Sequence, residues 1–488
     1  MISEINRLDR KDFDFVIVGA GPAGITLALD LEKYGINSLL IEGGGVDYST
    51  ESQALYNGKV NGNLNYDIKH SRLRYFGGST NHWGGMCRPL SESELAEFPL
   101  DKKDLDPFLS EACRILEIDE KFNKDLNFSK YFDIIHFQKS PPVRFNKKYL
   151  QAIKKSDFIT LVLNSNLVAI NGQEGRINEI EVADYKKNIY RLKLKNLILA
   201  TGGIENSRIL LWNQYRNKSL FKDLKIGGGW MEHPHFSTGE IIIDNYEKLK
   251  KILKSSERTE VGTYKIFLQP TDEFMKKRGI NNAGIRFELY KSKNKLKRVI
   301  NDILCINKDY GDLLLKKLTN KNLMCSANIT IAWEQFPQVR NSIKLDFAKK
   351  DKFGIPSPIL NWRVNKYDKK TALECMRELS KVFIDNNLGR VGIYEYLSEE
   401  YSELDEDYGG GCCISGGHHI GGTPMGQDKS SGVVDRDLKV FGVDNMWVLG
   451  SSVFPRGGHV NPTLSIIQLS LRLGKFFREG ASMIKKVT

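Results

Sequence analysis

The feature that most constrains this fold is a glycine-rich turn close to the amino end of the chain. A short apolar run, Phe15 to Val18, precedes the turn and predicts a buried parallel strand. Three glycines then follow at GxGxxG spacing, at Gly19, Gly21 and Gly24. The first allows a tight turn, the second lets the backbone approach a pyrophosphate, and the third lets the next helix pack against the strand. The run therefore predicts the phosphate-binding turn of a dinucleotide site.

The segments after the turn complete this unit. A helix is predicted from about Ala23 to Tyr34, with Pro22 just before it, and its first N–H groups are expected to face the phosphates. The predicted second strand covers Ser38 to Ile41, and Glu42 stands at its end, where an acid accepts hydrogen bonds from ribose hydroxyls. The complete unit predicts a dinucleotide-binding domain, but it does not distinguish FAD from NAD.

Three later segments favour FAD. They are a strand that ends in Ala200, Thr201 and Gly202, a predicted hairpin over 432–443, and a strand that ends in Gly450 and Ser451. No second GxGxxG turn is present for a nicotinamide cofactor, because the glycines at 227–229 lack the flanking strand and helix. FAD is therefore the predicted cofactor.

With these segments in place, the chain resembles the glucose-methanol-choline (GMC) oxidoreductases, a family of flavoproteins. The resemblance rests on Gly77–Gly85, His419–Thr423 and Asn461–Thr463, and covers residues 1–95, 192–236 and 416–477, with shorter matches at 333–337 and 351–356. Its motifs are nearest to those of pyranose oxidase and the bacterial sugar and polyol dehydrogenases. Gly450 stands where many members carry aspartate, which argues against a member similar to glucose oxidase.

The resemblance implies FAD contacts beyond the dinucleotide turn. The residues expected to make them, in addition to those at 200–202 and 450–451, are Gly78, Ser79, Asn81, His82, Trp83, Gly84, Asn461, Pro462 and Thr463. His82 matches the histidine that pyranose oxidase bonds to FAD, so His82 is expected either to carry a covalent flavin or to touch it as a loop residue. A helix predicted over 463–477 would present its positive end to the reduced flavin.

The same resemblance assigns the chemistry to two residues. His419, four residues before Thr423, is the predicted catalytic histidine, and Asn461 is its predicted partner. Oxidation of an alcohol requires removal of the O–H proton, which an imidazole can accept near neutral pH, whereas an amide can only orient the oxygen. We expect a structural role for His418, and His459 is a candidate second group in the site. The pair His233 and His235 is expected to be structural or to line the cavity, and no metal site is predicted.

The predicted fold class is α/β (α+β overall), with a three-layer, Rossmann-like FAD domain and an inserted antiparallel-sheet substrate domain. The predicted FAD domain is discontinuous, at 1–95, 157–232 and 410–488, and the substrate domain comprises 96–156 and 233–409. Strand-like runs at 241–243, 327–331 and 342–347 suggest the sheet that roofs the flavin.

The net charge of +12 does not indicate nucleic-acid binding, because no binding motif accompanies it. Much of the excess lies in 291–318, where lysines alternate with apolar residues. This segment could touch a membrane surface, an acidic partner or an anionic substrate, or it could be a solvated arm. The chain has no apolar run of about 18 residues. Seven scattered cysteines and a polar amino end predict reduced thiols and a cytoplasmic location.

The predicted function is FAD-dependent oxidation of an alcohol, such as a sugar or polyol, with hydride transfer to flavin N5. Oxygen, a quinone and a protein carrier all stay open as electron acceptors. Three alternatives are a lyase that uses flavin structurally, an NAD(P)H-fed reductase or monooxygenase, and a binding module. The missing second nucleotide motif argues against the reductase, and the histidine and asparagine argue against the binding module.

Overall fold

The computed structural model describes residues 2–8, 12–64, 66–122, 126–253, 256–258, 263–289, 295–319, 323, 325–398 and 413–487. Its centre is a six-stranded parallel sheet. In spatial order the strands are β1 (Ile2–Ser3), β8 (Ile159–Val162), β3 (Ser38–Ile41), β2 (Phe15–Val18), β12 (Leu197–Leu199) and β22 (Met446–Val448). Every residue of β2 and β3 is buried, as expected for parallel strands covered on both faces.

Helices cover this sheet and the sheets beside it. In chain order they are α1 (Pro22–Glu32), α2 (Thr50–Ala54), α3 (Glu92–Leu95), α4 (Lys102–Leu105), α5 (Leu109–Leu116), α6 (Phe145–Lys155), α7 (Glu205–Arg216), α8 (Tyr246–Leu253), α9 (Asp272–Arg278), α10 (Lys295–Leu304), α11 (Lys308–Thr319), α12 (Lys366–Asp385), α13 (Glu395–Ser398) and α14 (Thr463–Val487). The glycine turn leads directly into α1, which packs along α14. The predicted α/β fold class is confirmed.

Three antiparallel strands form a separate small sheet against the core of the parallel sheet. They are β9 (Ser165–Gln173), β10 (Arg176–Asp184) and β11 (Ile189–Lys193). Their buried residues, including Leu167, Ile177 and Val182, join the same hydrophobic cluster as β2 and β12.

A ten-stranded antiparallel sheet lies beside this unit. Its main path runs β20 (Gly389–Ile393), β13 (Pro234–Ile243), β17 (Ser326–Trp333), β16 (Ala283–Leu289), β15 (Thr263–Pro270), β7 (Phe132–Lys139) and β5 (Met86–Cys87), with β14 (Ser256–Arg258), β21 (Cys413–Ser415) and β6 (Leu126–Ser129) paired alongside. Residues of β17 alternate between buried and half-buried, so that one face supplies a second core. The long helix α12 packs against it, and its capping box begins at Asn365.

One predicted roof strand lies elsewhere. The run 342–347 belongs to β18 (Ser342–Lys350), which pairs with β19 (Pro356–Trp362), and β19 pairs in parallel with β4 (Lys59–Gly62). The runs at 241–243 and 327–331 do lie in the large sheet. Alternating patterns identify strands, but the sheet that a strand joins depends on long-range pairing.

The packing also bears on the predicted domain boundaries. Helices α4 and α5 contact α14, and α6 contacts β8, so the segment 96–156 covers the parallel sheet except at β6 and β7. Conversely, β5 lies inside the predicted FAD segment 1–95 but pairs with β7 of the large sheet. The division into two domains and its boundaries stay a prediction.

The prediction of reduced thiols is wrong at one pair. Cys305 and Cys325 form a disulfide, with their Cα atoms 5.8 Å apart and a sequence separation of 20. Cys87, Cys113 and Cys375 are free and buried. The disulfide was invisible in the sequence because only the fold of α10 and α11 returns the chain to the start of β17. Within the described ranges, no helix is long and apolar enough to cross a membrane.

Candidate active site

A cavity of about 540 Å³ opens at the carboxyl ends of the parallel strands. Gly19 follows β2, Glu42 follows β3 and Ala200 follows β12, and all three line the cavity. Gly450, two residues after β22, lines it as well. Ligands bind at this edge of parallel α/β sheets because the loops after successive strands meet there.

The glycine turn has the close contacts that its spacing predicted. Gly19 has a φ of +107°, and a β-carbon on it would lie 2.3 Å from the carbonyl oxygen of Ala200. A β-carbon on Gly24 would lie 2.0 Å from the carbonyl oxygen of Gly19, so the helix can approach the strand only without a side chain there. Around Gly21 the corresponding space is open. Open space beside α1's first N–H groups suits a phosphate group.

Glu42 is held at the end of its strand by the backbone. One carboxylate oxygen accepts a hydrogen bond from the Ala20 N–H at 3.0 Å, and the other accepts one from the Gly44 N–H at 2.9 Å. The side chain is buried and borders the cavity. Since each carboxylate oxygen has a second lone pair, Glu42 can also accept ribose hydroxyls.

The donor set around the cavity fits FAD. Helix α1 and helix α14 both begin at the cavity wall, at Pro22 and Thr463, and so offer N–H groups and positive dipole ends. Of the residues expected to contact FAD, the cavity wall includes Gly19, Gly21, Pro22, Ala23, Glu42, Gly78, Ser79, His82, Trp83, Gly84, Ala200, Thr201, Gly202, Gly450, Ser451, Asn461, Pro462 and Thr463.

Two expected contact residues lie behind this wall. Gly24 is packed against the backbone of Gly19, and Asn81 holds the loop by donating to the carbonyl of Phe76 at 2.9 Å. His82 itself lies on the wall, where burial lowers its pKa and the charge of Arg144 lowers it further. The covalent bond between His82 and the flavin stays a prediction.

In the structure, Asn461 lies beside a different histidine from its predicted partner. The amide nitrogen of Asn461 lies 2.8 Å from Nε2 of His418, whereas the sequence had assigned Asn461 to His419. Both histidines line the cavity. Neighbouring side chains in an extended segment point in different directions, and the spacing to Thr423 could not tell which of the two faces Asn461.

A second histidine continues this contact. Nδ1 of His418 lies 2.8 Å from Nδ1 of His233, and Nε2 of His233 lies 3.4 Å from the carbonyl oxygen of Gly457. The Asn461 amide nitrogen can only donate, so Nε2 of His418 must accept. The ring hydrogen of His418 is then on Nδ1 and is donated to His233, whose own hydrogen points to Gly457. This network assigns one tautomer to each ring.

Glu232 holds the backbone of both His233 and His418 in place. One carboxylate oxygen accepts the backbone N–H groups of His233 at 2.9 Å and His418 at 2.7 Å. The other accepts the Tyr66 hydroxyl at 2.8 Å. Burial raises the pKa of Glu232 to about 7, although these hydrogen bonds lower it. No sequence pattern indicated this role, because Glu232 and Tyr66 are far apart in the chain.

His419 has different neighbours. Its Nε2 lies 3.0 Å from the Ser71 hydroxyl and 3.5 Å from the Tyr66 hydroxyl. Burial lowers the pKa of His419 to about 3, with further contributions from Arg72 and His82. The pKa of His418 is also held well below its usual range, first by burial and then by the neighbouring histidines. Both rings are therefore neutral near pH 7.

A buried ion network at another part of the wall was not predicted. Glu205 contacts Arg72 at 2.9 Å and Arg208 at 3.1 Å, and Arg208 contacts Asp351 at 2.6 Å. Burial alone would raise the pKa of Glu205, but the two arginines hold it below its ordinary value. Asp351 belongs to the short run that matched the GMC family, which is the one sequence signal pointing here.

The remaining candidate histidines, His233, His235 and His459, are not among the residues that line the cavity. His459 does not border the cavity, and its Nδ1 lies 2.8 Å from the buried carboxylate of Glu94. His233 makes the contact to His418 described above, and a ring-edge contact joins His235 to His418. Among the described residues, no group of three or more histidine, cysteine or acidic side chains could hold a metal ion.

Comparison with known proteins agrees with this fold and cavity. A GMC oxidoreductase domain matches residues 337–470, and an FAD-binding domain matches residues 12–58. The fructose dehydrogenase large subunit of Gluconobacter japonicus is 22% identical over 61% of this chain and 50% of its own length. The 2-methyl-1,2-propanediol dehydrogenase of Mycolicibacterium austroafricanum is 26% identical over 33% of this chain and 27% of its own length.

A solved structure extends the match in fold. Pyridoxine 4-oxidase from Mesorbium loti superimposes with a TM-score of 0.60 at 13% identity, covering 96% of this chain and 99% of that protein. The curated dehydrogenases, in contrast, are matched over half of their length or less.

The fold and cavity define an FAD-binding flavoprotein. The glycine turn lies in the matched FAD-binding domain, and His418 and Asn461 lie in the matched GMC oxidoreductase domain. The predicted resemblance to the GMC oxidoreductases and the predicted cofactor, FAD, are confirmed. The narrower resemblance to pyranose oxidase stays a prediction.

Proposed function

We propose that this protein oxidises an alcohol to a carbonyl compound with FAD, and that His418 is its catalytic base. The observation that carries the proposal is the 2.8 Å contact between His418 Nε2 and the Asn461 amide, on the wall of the cavity that also holds the dinucleotide turn. This assignment replaces His419 with its neighbour and keeps Asn461.

The two side chains divide the work at the alcohol oxygen. An alcohol bound between them would replace their mutual hydrogen bond, with its O–H proton directed at Nε2 of His418 and the Asn461 amide donating to its oxygen. In this scheme the lone pair on Nε2 of His418, which accepts from the Asn461 amide when no alcohol is bound, takes the proton. Asn461 keeps the oxygen in place because an amide does not titrate. When bound, FAD supplies the acceptor for the hydride that leaves the alcohol carbon.

His233 is the positioning residue in this scheme. It accepts the Nδ1 hydrogen of His418 and thereby keeps the lone pair on Nε2. When Nε2 gains a proton, the same contact becomes a hydrogen bond from a charged ring, which is stronger than the neutral one. The tautomer and the positive charge are thus controlled by the same 2.8 Å contact.

The substrate class is proposed from two sources. The relatives are named for fructose, a diol and pyridoxine, and all three compounds carry hydroxyl groups. The cavity wall near His419 is polar, with the hydroxyls of Ser71 and Tyr66 and the guanidinium of Arg72. These groups suit a substrate with several hydroxyls, such as a sugar or polyol. Oxygen, a quinone and a protein carrier all stay open as electron acceptors.

An anaerobic experiment tests the proposal directly. The purified yellow protein is mixed with sugars, polyols, amino sugars and aryl alcohols, and separately with NADH and NADPH, while the flavin absorbance is followed. Bleaching by one alcohol class, with little bleaching by the nicotinamides, is the expected result. Bleaching by NAD(P)H alone would move the protein to the reductases. Conversion of a substrate without bleaching would favour the lyase alternative.

A further inference from the structure

The surface of the helical hairpin formed by α10 and α11 differs from that of an ordinary globular protein. On α10, Leu296, Val299, Ile300 and Ile303 are 46% to 69% exposed. Their spacing of three and four residues puts them on one face of the helix. Such an apolar stripe normally faces a core, and here it faces solvent.

The second helix repeats this arrangement. On α11, Tyr310, Leu313, Leu314 and Leu318 are 41% to 73% exposed and also share one face. Ile306, in the short connection, is 52% exposed. Soluble monomers rarely leave contiguous apolar surface of this extent uncovered, and such patches mark places where a partner or a membrane binds.

The hairpin is nevertheless fixed to the protein. Leu304 and Leu315 pack against the core of the large sheet, and a β-carbon on Gly311 would lie 2.1 Å from the Leu304 carbonyl oxygen, so the two helices touch. The disulfide from Cys305 to Cys325 ties their connection to the start of β17. The exposed stripes therefore lie on a hairpin that is anchored to the protein, on the side of the helices that faces away from the core.

Charge and composition identify the partner as a lipid surface. Residues 291–318 contain eight lysines or arginines and three aspartates, and Lys297, Lys316 and Lys317 are exposed beside the stripes. The segment's only aromatic residue is Tyr310. Cores of protein–protein interfaces are enriched in aromatic residues and depleted in lysine. Helices that lie in the membrane interface combine an apolar face, to which leucine contributes, with lysines or arginines on the polar face.

We propose that this helical hairpin docks the protein on a membrane that carries anionic lipid headgroups. The aliphatic side chains of both helices enter the boundary between headgroups and acyl chains, and the lysines contact the headgroup phosphates. Attachment is peripheral and reversible. The proposal goes beyond the oxidation proposed above and does not depend on it, since it concerns a surface separate from the cavity-lining residues.

Vesicle sedimentation of the FAD-loaded protein tests this docking. We expect the protein to pellet with vesicles of phosphatidylcholine that contain about one third phosphatidylglycerol. It should pellet weakly with phosphatidylcholine alone, and high salt should release it. Failure to pellet with the anionic vesicles, or equal binding to both kinds at low and high salt, would overturn the proposal.

Two double variants distinguish binding through the apolar stripe of α10 from non-specific binding through other exposed apolar residues. Leu296→Gln with Ile300→Gln should reduce binding to the anionic vesicles about tenfold or more, because apolar burial at the interface is lost. The control pair, Val339→Gln with Ile384→Gln, removes exposed apolar side chains elsewhere and should bind as the parent does. Flavin absorbance and melting temperature verify folding in each case.

A size measurement distinguishes a protein partner. If the parent is an oligomer and Leu296→Gln with Ile300→Gln converts it to a monomer, the stripe is a protein interface and the lipid proposal is wrong. If the variant keeps the parent's size and loses vesicle binding, the proposal stands. Alcohol-driven flavin bleaching is measured in parallel, and its presence or absence leaves this result unchanged.

Discussion

The dinucleotide turn and the histidine cluster both border one cavity, yet they are built in different ways. The turn comes from one continuous stretch of chain. Within it, Gly24 packs against the backbone of Gly19, and Glu42 accepts a hydrogen bond from the N–H of Ala20. The histidine cluster joins His233, His418 and Asn461 from three distant segments. Residues that are close in sequence therefore determine the geometry of the turn. The geometry of the histidine cluster depends on how the large sheet and α14 pack against the parallel sheet.

The largest effect is expected from a substitution that disrupts the dinucleotide turn. Gly24→Ala should prevent stable folding and FAD retention, because its β-carbon would meet the Gly19 carbonyl oxygen at 2.0 Å. The matched control is Gly21→Ala, whose β-carbon has open space within the protein. The control should fold but lose FAD affinity, since the pyrophosphate needs that space. Flavin content and melting temperature are the measurements. A Gly24→Ala protein that melts at the parent's temperature would contradict the packing argument.

The next effect compares the two adjacent histidines. His418→Ala should slow alcohol-driven flavin reduction by about 10²–10⁴-fold, the range for loss of a general base. His419→Ala should cost much less, because His419 contacts Ser71 and not Asn461. Anaerobic stopped-flow measurement of flavin bleaching gives both rates. A larger loss in His419→Ala would return the base to the position first predicted from the sequence.

A smaller effect is expected at the positioning residue. His233→Phe removes the acceptor of the His418 Nδ1 hydrogen and should slow flavin reduction about ten- to a hundredfold, as for one lost charge-assisted hydrogen bond. Substrate affinity should change little, because His233 does not line the cavity. His233→Gln retains an acceptor and should recover part of the rate. Equal rates in both variants would show that His233 only fills space.

The smallest effect concerns pH. Burial raises the pKa of Glu232 from 4.5 to about 7, so the native state holds this proton while the unfolded chain releases it. The contribution of Glu232 to stability is thus present below about pH 4.5 and is lost as pH rises to about 7. Glu232→Gln should remove this slope from the melting temperature. Asp368, whose pKa burial also raises to about 7, has the same sign, so only the difference between parent and variant is informative.

The sequence predicted the elements whose signals are local. The strand, turn and helix at 15–32, the acid at 42 and the helix that begins at Thr463 all occur where their patterns placed them. The residues expected to touch FAD line one cavity, apart from Gly24 and Asn81. Strands at 241–243 and 327–331 were also found by alternation, but alternation did not assign 342–347 to its own small sheet.

What the sequence determined by itself was thus the dinucleotide site, because the glycine spacing and the strand-end acid constrain the backbone over a few residues. What only the tertiary structure decided was which histidine meets Asn461, that Glu232 and His233 support it, and that Cys305 reaches Cys325. Each of these contacts joins residues far apart in the chain. Their distances follow from how whole sheets and helices pack, and neither residue type nor spacing records that packing.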